Sequence, residues 1–251
     1  DHTDGLYIPT YALWFLLEIE DYVRRTGDRE TAKLLEGRVR ELLKWFDGYV
    51  NADGLLEKLP SWVFVGWDAS NGYVQDVNYP ANMLYAAALD AVGRLYGWER
   101  CVRRADAIRS AVRAQAFDGA QFRDHAVRGK DGALAVRPEA TETCQYYAFF
   151  TGTADSVRDA ELWGRLVRGE RGSLKKAGLF PGMQLRFLCL ARAGMPELAR
   201  KEALAYYADM ADRTGTLWEH DAPQASCCHA FATGFVSLFA DEIRPSKAVD
   251  L

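Results

Sequence analysis

The stretch Gly215 to Gly234, GTLWEHDAPQASCCHAFATG, gathers two carboxylates, an indole, two imidazoles and two adjacent thiols in turn-rich sequence that runs into an apolar helix. Three chemistries compete for it. A zinc site would draw on His220, Cys227, Cys228 and His229, but neighbouring cysteines at a helix start point in different directions and no Cys-x-x-Cys pair occurs. No metal and no cofactor is therefore expected. A disulfide or redox site fits no better: the cysteines, Cys101, Cys144, Cys189, Cys227 and Cys228, are an odd set without regular spacing. Four of them fall on or at the start of apolar helices and read as buried free thiols, Cys227 and Cys228 among them. Free thiols suit a reducing, cytoplasmic compartment. The third chemistry belongs to Glu219, between Trp218 and His220. A carboxylate beside an aromatic ring in a partly dry cleft is what general acid–base work on a glycosidic bond requires. For His229 two readings stand, a hydrogen-bonded core histidine and a donor to a sugar hydroxyl.

A second stretch has matching chemistry. LPSWVFVGWDASNGYVQDVNYPAN places Trp62, Phe64, Trp67 and Tyr73 beside Asp68, Asn71, Asp76 and Asn78. Aromatic faces stack on the C–H faces of a sugar, while amides and carboxylates bond its hydroxyls. Trp67 next to Asp68 is the sugar-binding candidate; Trp62 and Phe64 could equally plug the mouth of the scaffold. In RPEATETCQYYAFF, Glu139 and Glu142 open a helix, where the helix dipole favours acidic side chains, so at least one reads as a cap. Phe180 and Gln184 in GLFPGMQ read as packing.

These residues need elements to position them. Residues 11–17, YALWFLL, are apolar on every face, as in a helix buried nearly all round. After a short break at TGD, Leu35, Val39, Leu42, Leu43, Phe46 and Val50 form one stripe of an amphipathic helix that Asp28 can cap. The same alternation of inner and outer helices repeats through 80–96 and 98–116, 141–151 and 155–168, 182–193 and 196–212, and ends on an inner 228–240. This predicts an all-α chain of nine helices in repeated hairpins, with no strand-period segment of useful length. The inner-to-outer links are tiny. The outer-to-inner links are long, near 51–78, 117–139, 169–180 and 213–227, and hairpin alternation gathers them at the N-termini of the inner helices. Glu219, Trp67 and Asp68 are thereby predicted on one face.

Composition narrows the partners. With 31 Lys and Arg against 35 Asp and Glu in 251 residues, the chain has no basic face for nucleic acid. No apolar run approaches a bilayer span, so no membrane partner is expected. A carbohydrate fits best. Residues 1–240 read as one domain and 241–251, DEIRPSKAVDL, as a tail leaving it.

The run GLYIPTYALWFLLEIEDYVRRTGD, the motif WVFVGWD, the segment ETCQYYAFF, and TLWE followed ten residues later by His229 together resemble the catalytic domain of bacterial and fungal α-L-rhamnosidases. The resemblance spans nearly the whole chain in order. It implies an (α/α)6 six-hairpin toroid and an inverting glycoside hydrolase releasing terminal L-rhamnose. It also implies that Glu219 is the general base, that Trp62 or Trp67 walls the sugar pocket, and that His229 contacts the sugar; Asp68 and Trp218 join these as substrate-binding candidates on their own chemistry. The family's general acid lies in a motif upstream of the matched residues, and Asp4 is a weak substitute for it. Nine helices where a closed ring needs twelve then imply a truncated toroid completed by other segments of a larger parent, with the isolated chain nearly inactive. A six-hairpin hydrolase for another sugar and a non-catalytic module binding sugar or protein are the alternatives.

Overall fold

The structure, a computed structural model, describes residues 6–220 and 225–239. Asp4 and the 241–251 tail lie outside them. Within the described residues the helices follow the predicted alternation: α1 Pro9–Thr26, α2 Arg29–Asp47, α3 Tyr79–Tyr96, α4 Glu99–Ala116, α5 Glu142–Phe150, α6 Ala160–Val167, α7 Gln184–Arg192 and α8 Pro196–Thr214, then a 3-10 segment Ala230–Phe239. Several starts and stops have a local cause. Pro9 pre-sets the first turn of α1, and Asp28 caps α2 by accepting from the backbone N–H groups of Glu30 and Thr31. Gly27 and Gly97 end α1 and α3 at φ 75° and 70°, a conformation that disfavours any side chain with a Cβ.

The inner elements form an arc in chain order, α1 on α3, α3 on α5, α5 on α7 and α7 on the 3-10 segment. The outer helices back them, α2 on α1, α4 on α3 and α8 on α7, while Phe149 of α5 meets Trp163 of α6 at 4.8 Å. The result is a helical-hairpin toroid, all-α as the periodicity predicts. The last segment reaches back to the first helix, where Phe231 packs edge-on against Tyr11 at 5.3 Å. Most of α3 is buried, matching its all-round apolar sequence. The first helix is buried on one side only: Phe15 is 39% exposed, and Trp14 and Leu17 line a cavity of about 1030 Å³. Helix α1 thus departs from the all-round burial expected of it, because Trp14 and Leu17 face an open cavity whose other walls include α3, α5 and α7.

One addition was not expected. A small antiparallel sheet, ordered β1 (Val77–Asn78), β2 (His125–Arg128) and β3 (Leu134–Val136), fastens the first long loop to the second. A bidentate ion pair from Arg128 to Glu57, shared with Asn51, ties the same two loops.

Candidate active site

Three of the long loops meet over the N-terminal ends of the inner helices. Trp67 donates its backbone N–H to the Phe180 carbonyl at 2.9 Å, and its ring lies 5.2 Å from that of His220. Gly178 is in contact with the same strand of loop: a Cβ there would lie 2.1 Å from the Trp67 carbonyl oxygen, so only glycine allows the approach. The rings of Trp62, Phe64 and Trp67 pack against one another at 5.1–5.8 Å, Phe64 stacks on Phe180 at 6.1 Å, and Phe180 stacks on Phe231 at 4.3 Å. Tyr11, in the first turn of α1, sets its edge to both Phe64 and Phe231. Together they make an aromatic basin, open at Trp62, which is 41% exposed.

Glu219 stands at this basin. Its segment is held by two backbone bonds to the returning chain, Glu219 N–H to Ser226 and His229 N–H to Leu217. That pairing brings His229 Nε2 to 3.7 Å from Glu219 Oε1, with both side chains about a quarter exposed. His229 Nδ1 faces the Phe231 N–H at 3.4 Å as acceptor, so the neutral imidazole carries its proton on Nε2, toward the carboxylate. The His229 ring also packs on Phe231 at 4.5 Å, which links the carboxylate to the basin wall. Burial together with the negative charge of Glu219 pushes the Tyr11 hydroxyl up to about 12, so it stays a neutral donor at any physiological pH. A carboxylate with a water-accessible edge, an imidazole N–H, a phenol and a wall of rings can bind a polyol and take a proton from water.

The structure brings Glu219, His229, Trp67 and Trp62 together. It does not bring in two other expected residues. Trp218 faces the opposite way: only 7% exposed, it packs in the α7–α8 core, donates Nε1–H to Thr214 at 2.8 Å and lies under Arg213 at 4.4 Å. Asp68, expected to bond sugar hydroxyls, has both oxygens occupied, Oδ1 by the Ser70 N–H and Oδ2 by the Thr143 hydroxyl and the Gly178 N–H. It is a tie between loops. Glu142 is likewise taken, accepting from the Ala177 N–H, while Thr141 caps α5. Cys227 and Cys228 are exposed and not in the core as expected; Cys144 and Cys189 are buried. Tyr11, His220 and Phe231 are the basin residues that sequence reasoning passed over; Tyr11 in particular read as core, although a hydroxyl in the first turn of an inner helix lies on the loop face.

No protein-family model and no curated protein matches the chain. Among solved structures it is similar to a GH78 family rhamnosidase of Bacillus sp. GL1, at 20% identity and a TM-score of 0.80 over 95% of this chain. It is also similar to a rhamnosidase from Klebsiella oxytoca with rhamnose bound, at 18% identity and a TM-score of 0.74, again over 95% of this chain. The fold is that of these rhamnosidase-like helical toroids. The chain spans 27% and 47% of the lengths of those two proteins.

Proposed function

We propose that the chain is the sugar-binding helical part of a glycoside hydrolase acting on α-L-rhamnosides, with Glu219 as general base. The observation that carries this reading is the Glu219–His229 pair at 3.7 Å beside a basin of stacked rings, on a fold shared with two rhamnosidases. His229 and Tyr11 orient the carboxylate and its water; Trp62 and Trp67 take the sugar's C–H face. In an inverting reaction, Glu219 removes a proton from water as the water oxygen bonds to the anomeric carbon. The bond from that carbon to the leaving oxygen breaks, and a second carboxyl group, roughly 6.5–9.5 Å away, protonates that oxygen. Asp68 is unsuited to be that acid, since both its oxygens hold the loops together. The family resemblance assigns the acid to a motif not matched here, and the reading supposes that other segments of a longer polypeptide supply it.

The commitment of Asp68 also supports a second reading, a module that binds sugar without cleaving it. Both share the basin, and the first test is of the basin itself. L-rhamnose should change the tryptophan fluorescence of the chain saturably, and Trp67→Ala should remove that change. Silence toward rhamnose would refute the reading. A response only to another monosaccharide would keep the basin and replace the sugar.

A further inference from the structure

A cavity of about 500 Å³ opens on the outer wall of the toroid, between α2 and α4 and far along the chain from the Glu219 segment. The two helices run side by side in the same direction: Arg40 lies 4.0 Å over the Trp98 ring at one end of the cavity, and Arg104 binds Asp47 at the other. Each helix turns two cations, four residues apart, toward this opening, Arg40 and Lys44 from α2 and Arg100 and Arg104 from α4.

The four cations divide into two kinds. Arg40 and Arg104 are fixed, the first by Trp98 and Glu36, the second by Asp47 and by the Tyr85 ring 5.2 Å beneath it. Lys44 and Arg100 make no ion pair among the described residues, although each could reach a charge in the opening. The carboxylates that share the cavity are engaged, Asp47 with Arg104 and Glu99 with Arg103. The first turn of α4, with Trp98 at a cap that carries no side-chain bond, adds the positive end of an 18-residue helix. Below this basic rim the floor is closed by the buried side chains of Leu43 and Leu89. Its volume lies in the range of small-molecule sites.

We propose that this cavity binds a small phosphorylated metabolite, its phosphate between Lys44 and Arg100. A phosphate matches two unpaired cations and a helix start. A bulky polyanion is disfavoured because the chain carries a net charge of −4 and the carboxylates of Asp47 and Glu99 share the opening with the cations.

Calorimetric titration of the full chain with inorganic phosphate and with glucose 6-phosphate tests this directly. Both should bind saturably at one site, glucose 6-phosphate the more tightly, and salt should weaken both. Lys44→Ala combined with Arg100→Ala should lower affinity about tenfold or more, since each removes a charge-assisted bond. Both side chains are exposed, so circular dichroism should be unchanged. Arg38→Ala, on an arginine of α2 that is 81% exposed and paired with Glu41, should leave binding intact. Absence of saturable binding would overturn the proposal, as would an Arg38→Ala loss equal to that of the double variant, which would mean diffuse surface charge. Binding to phosphatidic acid vesicles that glucose 6-phosphate fails to compete would also overturn it in favour of a lipid headgroup.

Discussion

Trp218 and Glu219 are adjacent, yet one serves the core and the other the cleft: the Trp218 ring turns to Thr214 and Arg213, the Glu219 carboxylate to His229. Trp218→Ala should therefore cost about 3–5 kcal/mol of stability in chemical denaturation while leaving rhamnose affinity unchanged. Trp67→Ala should do the reverse. If Trp218→Ala abolished sugar binding without lowering stability, the assignment of the two sides would be wrong. Residue types and spacing singled out Glu219, His229 and Trp67, which the structure places around one basin, but spacing says nothing of direction. It could not show that Asp68 spends both oxygens on loop N–H and O–H groups, nor that Cys227 and Cys228 face solvent.

At the scale of elements, two contacts between long loops invite testing. Gly178 has an ordinary backbone conformation, so Gly178→Ala acts only through the Cβ that would meet the Trp67 carbonyl. It should cost about 1–3 kcal/mol and weaken rhamnose binding by displacing Trp67; unchanged values for both would remove this contact from the account. The Glu57–Arg128 pair has a pH signature. Hydrogen bonds from Arg128, with help from Asn51, hold the Glu57 carboxyl down at about 2. Its folded value is below its unfolded one, so the pair stabilises fully above the ordinary glutamate range, and that stability is lost as pH falls from about 4.5 toward about 2. Solvent reaches Arg128 and screens the pair, so the contribution is small. Melting temperature should drop across that window in the wild type and less in Glu57→Gln; identical acid profiles would contradict the assignment. The helices were legible because their apolar periods are long. The sheet was not, since strands of two to four residues carry too few alternations to register.

Over the whole molecule, alternating inner and outer helices account for both the toroid and the placement of the site. Short hairpin links leave the long ones no choice but to gather at one end, and there Trp67, Phe180, Glu219 and Phe231 converge from three loops and the final segment. That much follows from the order of apolar and polar residues. The aromatic closure of Phe231 on Tyr11 does not, because it joins residues at opposite ends of the chain with no local signal. In the proposed function this convergence serves a proton transfer by Glu219. Hydrolysis of an aryl α-L-rhamnoside by the longest polypeptide that carries this chain, with Glu219 intact and as Glu219→Gln, measures it most directly. The substitution keeps the shape and removes the proton acceptor, so kcat should fall by about 10² to 10⁴ while fold and sugar binding persist. Full activity in Glu219→Gln would contradict the account.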